Sequence, residues 1–98
     1  MASLRPAPTP RYVRDVKSLS RKHLDLVPLR EVERLVCENT PESRAELRRR
    51  HNMHALRGDW AGSEECHVAN AGDWLCVWAV SGDLAIFERT GTHDEIFG

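Results

Sequence analysis

The sequence predicts an α+β fold, in which an N-terminal helical hairpin packs on a small antiparallel β-sheet as one domain over residues 1–98. Apolar residues recur at helical spacing early in the chain, short β-branched and aromatic runs follow Trp60, and the connections between those runs are very short. The 98 residues, 41% hydrophobic and 30% charged, are enough for one compact domain and too few for two.

The first elements follow from proline positions and apolar spacing. Pro6 and Pro8 cannot donate to a β-ladder, so the first eight residues form at best an edge strand. Thr9 and Pro10 are typical of a helix start, with a hydroxyl cap followed by proline in the first turn. The apolar stripe of this first helix consists of Tyr12, Val13, Val16 and Leu19.

A second helix is predicted after the sequence DLVP, which ends the first. It begins near Pro28, and its buried stripe consists of Leu29, Val32, Leu35 and Val36. It ends before Pro41, because a residue that precedes proline resists helical geometry. Thr40 and Pro41 repeat the start signal, so ESRAELRRR forms either a short third helix or a single helical turn.

Three strands are predicted in the second half of the chain. They are the runs EECHVA, WLCVWAV and LAIFERT, rich in β-branched and aromatic residues. The connections NAGD and SGD have the composition of turns. Connections this short make neighbouring strands antiparallel, so the predicted sheet is a three-stranded meander.

Charge is divided unevenly along the chain. Residues 1–57 carry thirteen Lys and Arg against seven acids, a balance of +6, whereas residues 58–98 carry one Arg against eight acids, a balance of −7. This pattern indicates either a basic face for a polyanion or an acidic partner, or two solvated helices over an acidic sheet.

The composition also indicates a compartment. The sequence has no apolar run long enough to cross a bilayer and no secretory signal at its start, so no membrane association is expected. The three cysteines are an odd number without CxxC spacing, which favours reduced thiols in the cytoplasm.

Three kinds of chemistry are compatible with the reactive residues. A metal site is one, and its candidate ligands are His51, His54, Cys66, His67 and His93; the signal is weak because no CxxC supports it. A thiol nucleophile is the second, with Cys66 or Cys76 as the candidate, but both lie in apolar strands where thiols are usually inert.

Metal-free acid–base chemistry on a phosphodiester is the third, and it uses these residue types best. RNA supplies its own nucleophile, the 2′-hydroxyl, and imidazoles can take and give the protons near neutral pH. Arginine suits the extra negative charge of the transition state, and phenylalanine can stack on a base.

Three segments, ALRGDWAG, HV…DWLCVWAV and FERTGTHDEIFG, closely resemble the YafQ branch of the RelE-like toxins of bacterial toxin–antitoxin systems. The resemblance implies a RelE-like two-layer fold and a ribosome-dependent mRNA endonuclease that cuts the A-site codon without metal or other cofactor. The implied partners are the ribosome, its mRNA and a cognate antitoxin, for which a ribbon-helix-helix protein is a candidate.

The resemblance also carries roles to individual positions. His93 would be the main acid–base residue and Arg89 the transition-state clamp, while Phe97 would stack on a base or shape the site. His54 and His67 would bind phosphate or share proton transfer. Asp73 would be a second acid–base or orienting carboxylate. The basic run Arg48, Arg49 and Arg50 is a candidate contact to ribosomal RNA.

Each residue also has a structural interpretation. His93 would then be a solvated loop residue, Asp73 part of a turn, and Arg89 the ion-pair partner of Asp94 or Glu88. His54 and His67 would be surface or half-buried residues, and the arginine run a solvated helix end. Trp74, Trp78 and Cys37 are assigned to packing. The corresponding alternative function is a weakly active or inactive toxin-fold protein that binds an antitoxin or another acidic helix.

Overall fold

The computed structural model describes residues 2–69 and 72–98, and its central element is a five-stranded sheet. The strands lie in the order β1-β5-β4-β3-β2. They are β1 (Arg5–Pro8), β2 (His54–Ala55), β3 (Ser63–His67), β4 (Leu75–Ser81) and β5 (Leu84–Gly91). β1 is parallel to β5 and every other neighbouring pair is antiparallel.

In the described residues, four α-helices accompany the sheet: α1 (Pro10–Arg21), α2 (Val27–Glu38), α3 (Pro41–His51) and α4 (His93–Phe97). The Thr9 hydroxyl caps α1 by accepting from the Tyr12 amide, and Thr40 and Ser43 form a reciprocal capping box on α3. Asn39 and Asn52, both with φ of 52°, end α2 and α3 in the left-handed conformation. The predicted α+β class and the first two helices are confirmed, and ESRAELRRR lies within a complete third helix.

The sheet is mixed rather than purely antiparallel, because β1 joins it as a parallel edge. The Arg5 amide donates to the Asp83 carbonyl at 2.8 Å, and the register runs from Arg5 opposite Leu84 to Pro8 opposite Phe87. An edge position needs only one ladder partner, which is why a strand with two prolines is tolerated there. The meander of β3, β4 and β5 is confirmed. Asn70 and Ala71 of the predicted NAGD turn lie outside the described residues.

The two faces of the sheet bury separate apolar clusters. Leu29, Leu47, Trp78 and Phe87 belong to the larger cluster, between the sheet and helices α1, α2 and α3. The assignment of Trp74 and Trp78 to packing is confirmed, since Trp78 is buried and Trp74 packs against this cluster. In the smaller cluster, Leu75, Val77 and Ile96 form the centre and Leu56 and Trp60 pack against it.

The smaller cluster fixes α4 to the sheet, and the candidate site lies around this helix. Within residues 2–69 and 72–98, no helix is long and apolar enough to span a membrane.

Candidate active site

The ends of β3 and β5 bring the candidate residues of the second half together at α4. His67 ends β3 and lies opposite Leu75 of β4, which is itself opposite Gly91 at the end of β5. His93 is the first residue of α4, two positions after Gly91. The sheet register therefore places the end of β3 near the first turn of α4.

Asp73 and His93 form a hydrogen-bonded pair. The Asp73 Oδ1 atom lies 2.7 Å from His93 Nδ1, and the two carboxylate oxygens lie 3.1 and 3.2 Å from the His93 amide nitrogen. The hydrogen bond from the His93 side chain is the main cause that lowers the pKa of Asp73. An ionised carboxylate only accepts, so Nδ1 carries the proton and the Nε2 atom of His93 is left for other partners.

α4 is held by contacts at both of its ends. The Thr92 hydroxyl accepts from the Glu95 amide, and the Glu95 carboxylate accepts from the Thr92 amide. Lys22, the residue that follows α1, lies 3.4 Å from the Glu95 carboxylate. Ile96 is buried in the smaller cluster. The chain terminus is therefore a fixed element that orients His93.

Gly91 makes the sharp turn from β5 into α4. Its φ is +148°, and a Cβ atom there would lie 2.8 Å from Glu95 Oε1. Both the conformation and the space favour glycine at this position.

Four rings form a row across the candidate site. The His67 and His93 ring centroids are 6.5 Å apart, and those of His93 and Phe97 are 6.2 Å apart. Phe97 contacts Trp60 edge to face, with a centroid distance of 5.4 Å. Phe97 is 40% exposed, so part of its ring is open to a ligand. Trp60 was not among the predicted site residues; its position beside Phe97 gives it a role in supporting that ring.

His54 lies on β2 and makes a different set of contacts. Its Nε2 atom is 2.9 Å from Glu65 Oε2, and its Nδ1 atom is 2.8 Å from the Asn52 carbonyl oxygen. Both ring nitrogens are therefore engaged. Among the described residues, this ring makes no hydrogen bond or ring contact with the His67–His93 row.

Arg89 is directed towards α1 and α4. Its Nε atom donates to Asp15 Oδ2 at 2.8 Å, and its Nη2 atom donates to Asp15 Oδ1 at 3.3 Å and to the Glu95 carbonyl at 3.1 Å. The side chain is only 12% exposed. Neither Asp94 nor Glu88, the ion-pair partners considered from the sequence, takes this role. In the described part of the chain, Nη1 alone of its nitrogens makes no hydrogen bond.

The basic run ends α3 close to the candidate site. Arg48, Arg49 and Arg50 are exposed, and Arg50 lies 3.9 Å from Glu46. His51 Nδ1 lies 2.8 Å from the His67 carbonyl oxygen, and it must donate because a carbonyl oxygen only accepts. This bond joins the end of α3 to the end of β3.

The cysteines and the candidate metal ligands do not converge. Burial raises the pKa of Cys66 to about 12 and also raises that of Cys76, so neither thiol is ionised near neutral pH. Cys66 packs in the larger cluster, on the opposite side of the sheet from His67. In the part of the chain that the structure describes, no three His, Cys, Asp or Glu side chains are grouped to hold a metal ion.

Comparison with known proteins gives one consistent result. Residues 4–98 match the family described as the bacterial toxin of type II toxin–antitoxin system, YafQ. The mRNA interferase toxin YafQ of Escherichia coli (strain K12) is 34% identical over 87 residues, which cover 89% of this chain and 88% of that protein.

Two solved structures have a similar fold. The crystal structure of the E. coli DinJ-YafQ toxin-antitoxin complex matches with a TM-score of 0.77 and 29% identity, covering 98% of this chain and 99% of that chain. The crystal structure of a copper-bound mutant toxin from Helicobacter pylori matches with a TM-score of 0.83 and 29% identity, covering 96% and 99%.

Proposed function

This chain belongs to the YafQ family of bacterial type II toxins, and we propose that it is a ribosome-dependent mRNA endonuclease. The observation that supports this most directly is the pair formed by Asp73 and His93, which fixes an exposed imidazole beside His67 and Phe97. The name of the E. coli relative, mRNA interferase, indicates the class of substrate.

The proposed reaction is an attack by the substrate's own 2′-hydroxyl. The bond from the 2′ oxygen to phosphorus forms and the bond from phosphorus to the 5′ oxygen breaks, which leaves a 2′,3′-cyclic phosphate and a 5′-hydroxyl. One proton leaves the 2′-hydroxyl and one reaches the 5′ oxygen, so the reaction needs no net proton uptake. It also needs no metal or other cofactor.

His93 and His67 are the proposed proton-transfer residues. Asp73 holds the Nδ1 proton of His93, which directs Nε2 away from that carboxylate. The ring of His67 makes no hydrogen bond to residues 2–69 or 72–98. The ring centroids are 6.5 Å apart, close enough for the two imidazoles to reach different oxygens of one phosphate placed beside them. One ring would accept the 2′ proton and the other would donate to the leaving oxygen.

Arg89 has a narrower role in this proposal than the sequence indicates. Two of its three guanidinium nitrogens donate hydrogen bonds to Asp15 and to the Glu95 carbonyl oxygen. Arg89 therefore links α4 to α1. Nη1 is the nitrogen left to meet a phosphate oxygen, and its charge stabilises the transition state even without direct contact. Phe97 stacks on a base, a contact worth about 1–3 kcal/mol.

The ribosome supplies the rest of the catalysis. The side chains of His93, Asp73 and Phe97 are about half exposed, so the site does not enclose its substrate. It therefore cannot by itself hold a flexible mRNA in the in-line geometry that the attack requires. A substrate held in the correct geometry removes several kcal/mol of the barrier, and the A site would provide that geometry. Arg48, Arg49 and Arg50 form an exposed basic end of α3, which we assign to contact with ribosomal RNA. This site of action is in the cytoplasm.

A cognate antitoxin is the proposed regulatory partner. The E. coli relative is seen in a DinJ-YafQ toxin–antitoxin complex, whose fold this chain shares over 98% of its length. The basic balance of residues 1–57 suits an acidic partner segment, and a ribbon-helix-helix protein is the proposed class.

The second candidate function is an inactive toxin-fold module that only binds the antitoxin. Two observations favour it: the Arg89 guanidinium is largely committed to Asp15, and the chain has a net charge of −1, unfavourable for binding RNA. Harmless expression of the free chain together with tight antitoxin binding would select this alternative.

Induced expression tests the proposal. We expect the wild-type chain to arrest growth, and the purified protein to cut mRNA only when ribosomes are present, leaving 2′,3′-cyclic phosphate ends. His93→Asn should remove both effects. His23→Asn is the matched control, because His23 is exposed and asparagine tolerates its φ of 61°. Cleavage of free RNA, or growth arrest that survives His93→Asn, would contradict the proposal.

A further inference from the structure

A second histidine–carboxylate pair lies one strand beyond His67. His54 on β2 is opposite Glu65 on β3, and His54 Nε2 lies 2.9 Å from Glu65 Oε2. The His54 side chain is 44% exposed, but that of Glu65 is only 5% exposed. A buried carboxylate is expensive unless it has a compensating partner, so this one requires an explanation.

The hydrogen-bond partners of His54 determine which of its nitrogens carry protons. The Asn52 carbonyl oxygen lies 2.8 Å from Nδ1, and a carbonyl oxygen only accepts, so Nδ1 is protonated. Nε2 faces a carboxylate oxygen, which accepts when it is ionised. Two acceptors on one ring are satisfied together only by the imidazolium form.

The surroundings of Glu65 leave His54 as its compensating group. Glu65 Oε1 is buried and has no hydrogen-bond partner among the described residues. The adjacent Cys66 has a raised pKa and stays neutral, while Val77 lies opposite Glu65 on β4. In residues 2–69 and 72–98, no other positively charged group lies within hydrogen-bonding distance of this carboxylate.

The other charged groups of β3 and β5 near Glu65 have partners of their own. On β3, Glu64 binds Arg44 of α3 at 3.1 Å. On β5, Arg89 binds Asp15 of α1, and Glu88 accepts from the Ser63 hydroxyl at 2.5 Å. The charge on the Glu65 carboxylate is therefore left to be balanced by His54 on β2.

We propose that Glu65 is a positioning residue that holds His54 as a two-donor imidazolium near neutral pH. His54 then supplies a fixed positive charge beside the RNA and does not accept the 2′-hydroxyl proton. Residues 65 and 67 face the same side of β3, about 7 Å apart, which puts the Glu65–His54 pair and His67 on one face of the sheet. The catalytic part of this inference rests on the proposed function, and the protonation state does not.

Magnetic resonance of isotope-labelled histidine ring nitrogens tests the protonation state directly. At about pH 7.5 we expect both His54 nitrogens of the wild-type chain to be protonated. In Glu65→Gln, the glutamine amide can donate to Nε2, so His54 should become neutral with its proton on Nδ1. Glu64→Gln is the matched control, because it removes the neighbouring carboxylate that binds Arg44, and it should leave the His54 signals unchanged.

A wild-type His54 that lacks a proton on Nε2 at this pH would overturn the inference, whether or not Glu65→Gln folds. An unchanged His54 spectrum in a folded Glu65→Gln variant would also overturn it. Neither result depends on cleavage, so failure of the proposed function would be seen separately.

The rate of ribosome-bound mRNA cleavage gives a second measurement. Glu65→Gln should lower the rate about tenfold at about pH 8, less than the roughly 10²-fold effect of a proton-transfer group, because His54 supplies charge and transfers no proton. The deficit should shrink as the pH falls below about 6.5, where an ordinary imidazole becomes protonated. A deficit of the same size at every pH would assign Glu65 a purely structural role and contradict the inference.

Discussion

The two histidine–carboxylate pairs of this fold have similar distances and opposite surroundings. His93 Nδ1 lies 2.7 Å from Asp73, and both side chains are about half exposed at 55% and 48%. His54 Nε2 lies 2.9 Å from Glu65, whose side chain is 5% exposed. The first carboxylate engages one ring nitrogen and leaves the other open, whereas the second belongs to a ring with both nitrogens engaged.

If the proposals above hold, residue type and distance alone do not determine the role of a histidine. What matters is which nitrogen is bound and whether the carboxylate is buried. On the proposals above, the half-exposed pair exchanges protons with the substrate, whereas the pair with the buried carboxylate keeps its charge because the two groups compensate each other. Both pairs are fixed by the sheet, through the β2–β3 pairing for one and through the β5–α4 turn for the other.

The largest expected effect comes from breaking the exposed pair with Asp73→Asn. The amide can donate to Nδ1 of His93, which would move the ring proton to Nε2 and remove the proton acceptor. We expect ribosome-bound mRNA to be cut about 10²-fold more slowly. Asp94→Asn is the control, because Asp94 is exposed on the same helix. Equal rates for both variants would show that Asp73 does not orient His93.

A smaller effect on cleavage is expected when the Asp73–His93 pair is kept and the neighbouring Phe97 ring is changed. Phe97→Leu should raise the KM for ribosome-bound mRNA about tenfold, since the loss of about 1.4 kcal/mol lies within the range of one stacking contact. The kcat should change little, because His93 keeps its partner Asp73. Phe97→Trp should restore the KM. A fall in kcat without a change in KM would place Phe97 in the chemistry rather than in binding.

The smallest expected effect concerns acid pH, where the exposed pair should open first. The hydrogen bond from His93 lowers the pKa of Asp73 in the folded chain. Its stabilising contribution is therefore complete above the ordinary aspartate value of about 4, and it is lost as the pH falls through the lowered pKa. The protection factors of the α4 amides, which compare the observed exchange rate with the intrinsic rate at each pH, should fall only in that acid range. A fall in these protection factors already near neutral pH would contradict this assignment.

Local patterns in the sequence were enough to predict much of the fold. The helical spacing from Tyr12 to Leu19 and the two Thr-Pro starts correctly placed α1 and α3. The short connections correctly gave the antiparallel meander. The parallel pairing of β1 was not predicted, because it joins Arg5 to Leu84 across the whole chain, and no local pattern reports such a contact.

The sequence indicated candidate residues for the site but not the contacts that they make. The terminal RTGTHDEIFG segment singled out His93 and Phe97, but the ion pair of Arg89 with Asp15 spans 74 positions and required the structure. Glu65 has no sequence signal, since a glutamate in an apolar strand resembles a solvent-facing residue. Only its burial and its position opposite His54 reveal it.

The central claim is that the free Nε2 atom of His93 transfers a proton during cleavage of ribosome-bound mRNA. The most direct measurement is the single-turnover cleavage rate of His93→Asn on ribosomes with mRNA in the A site, beside wild type and His23→Asn. We predict a loss of at least about 10²-fold for His93→Asn and none for the control. A rate for His93→Asn equal to that of wild type would contradict the claim.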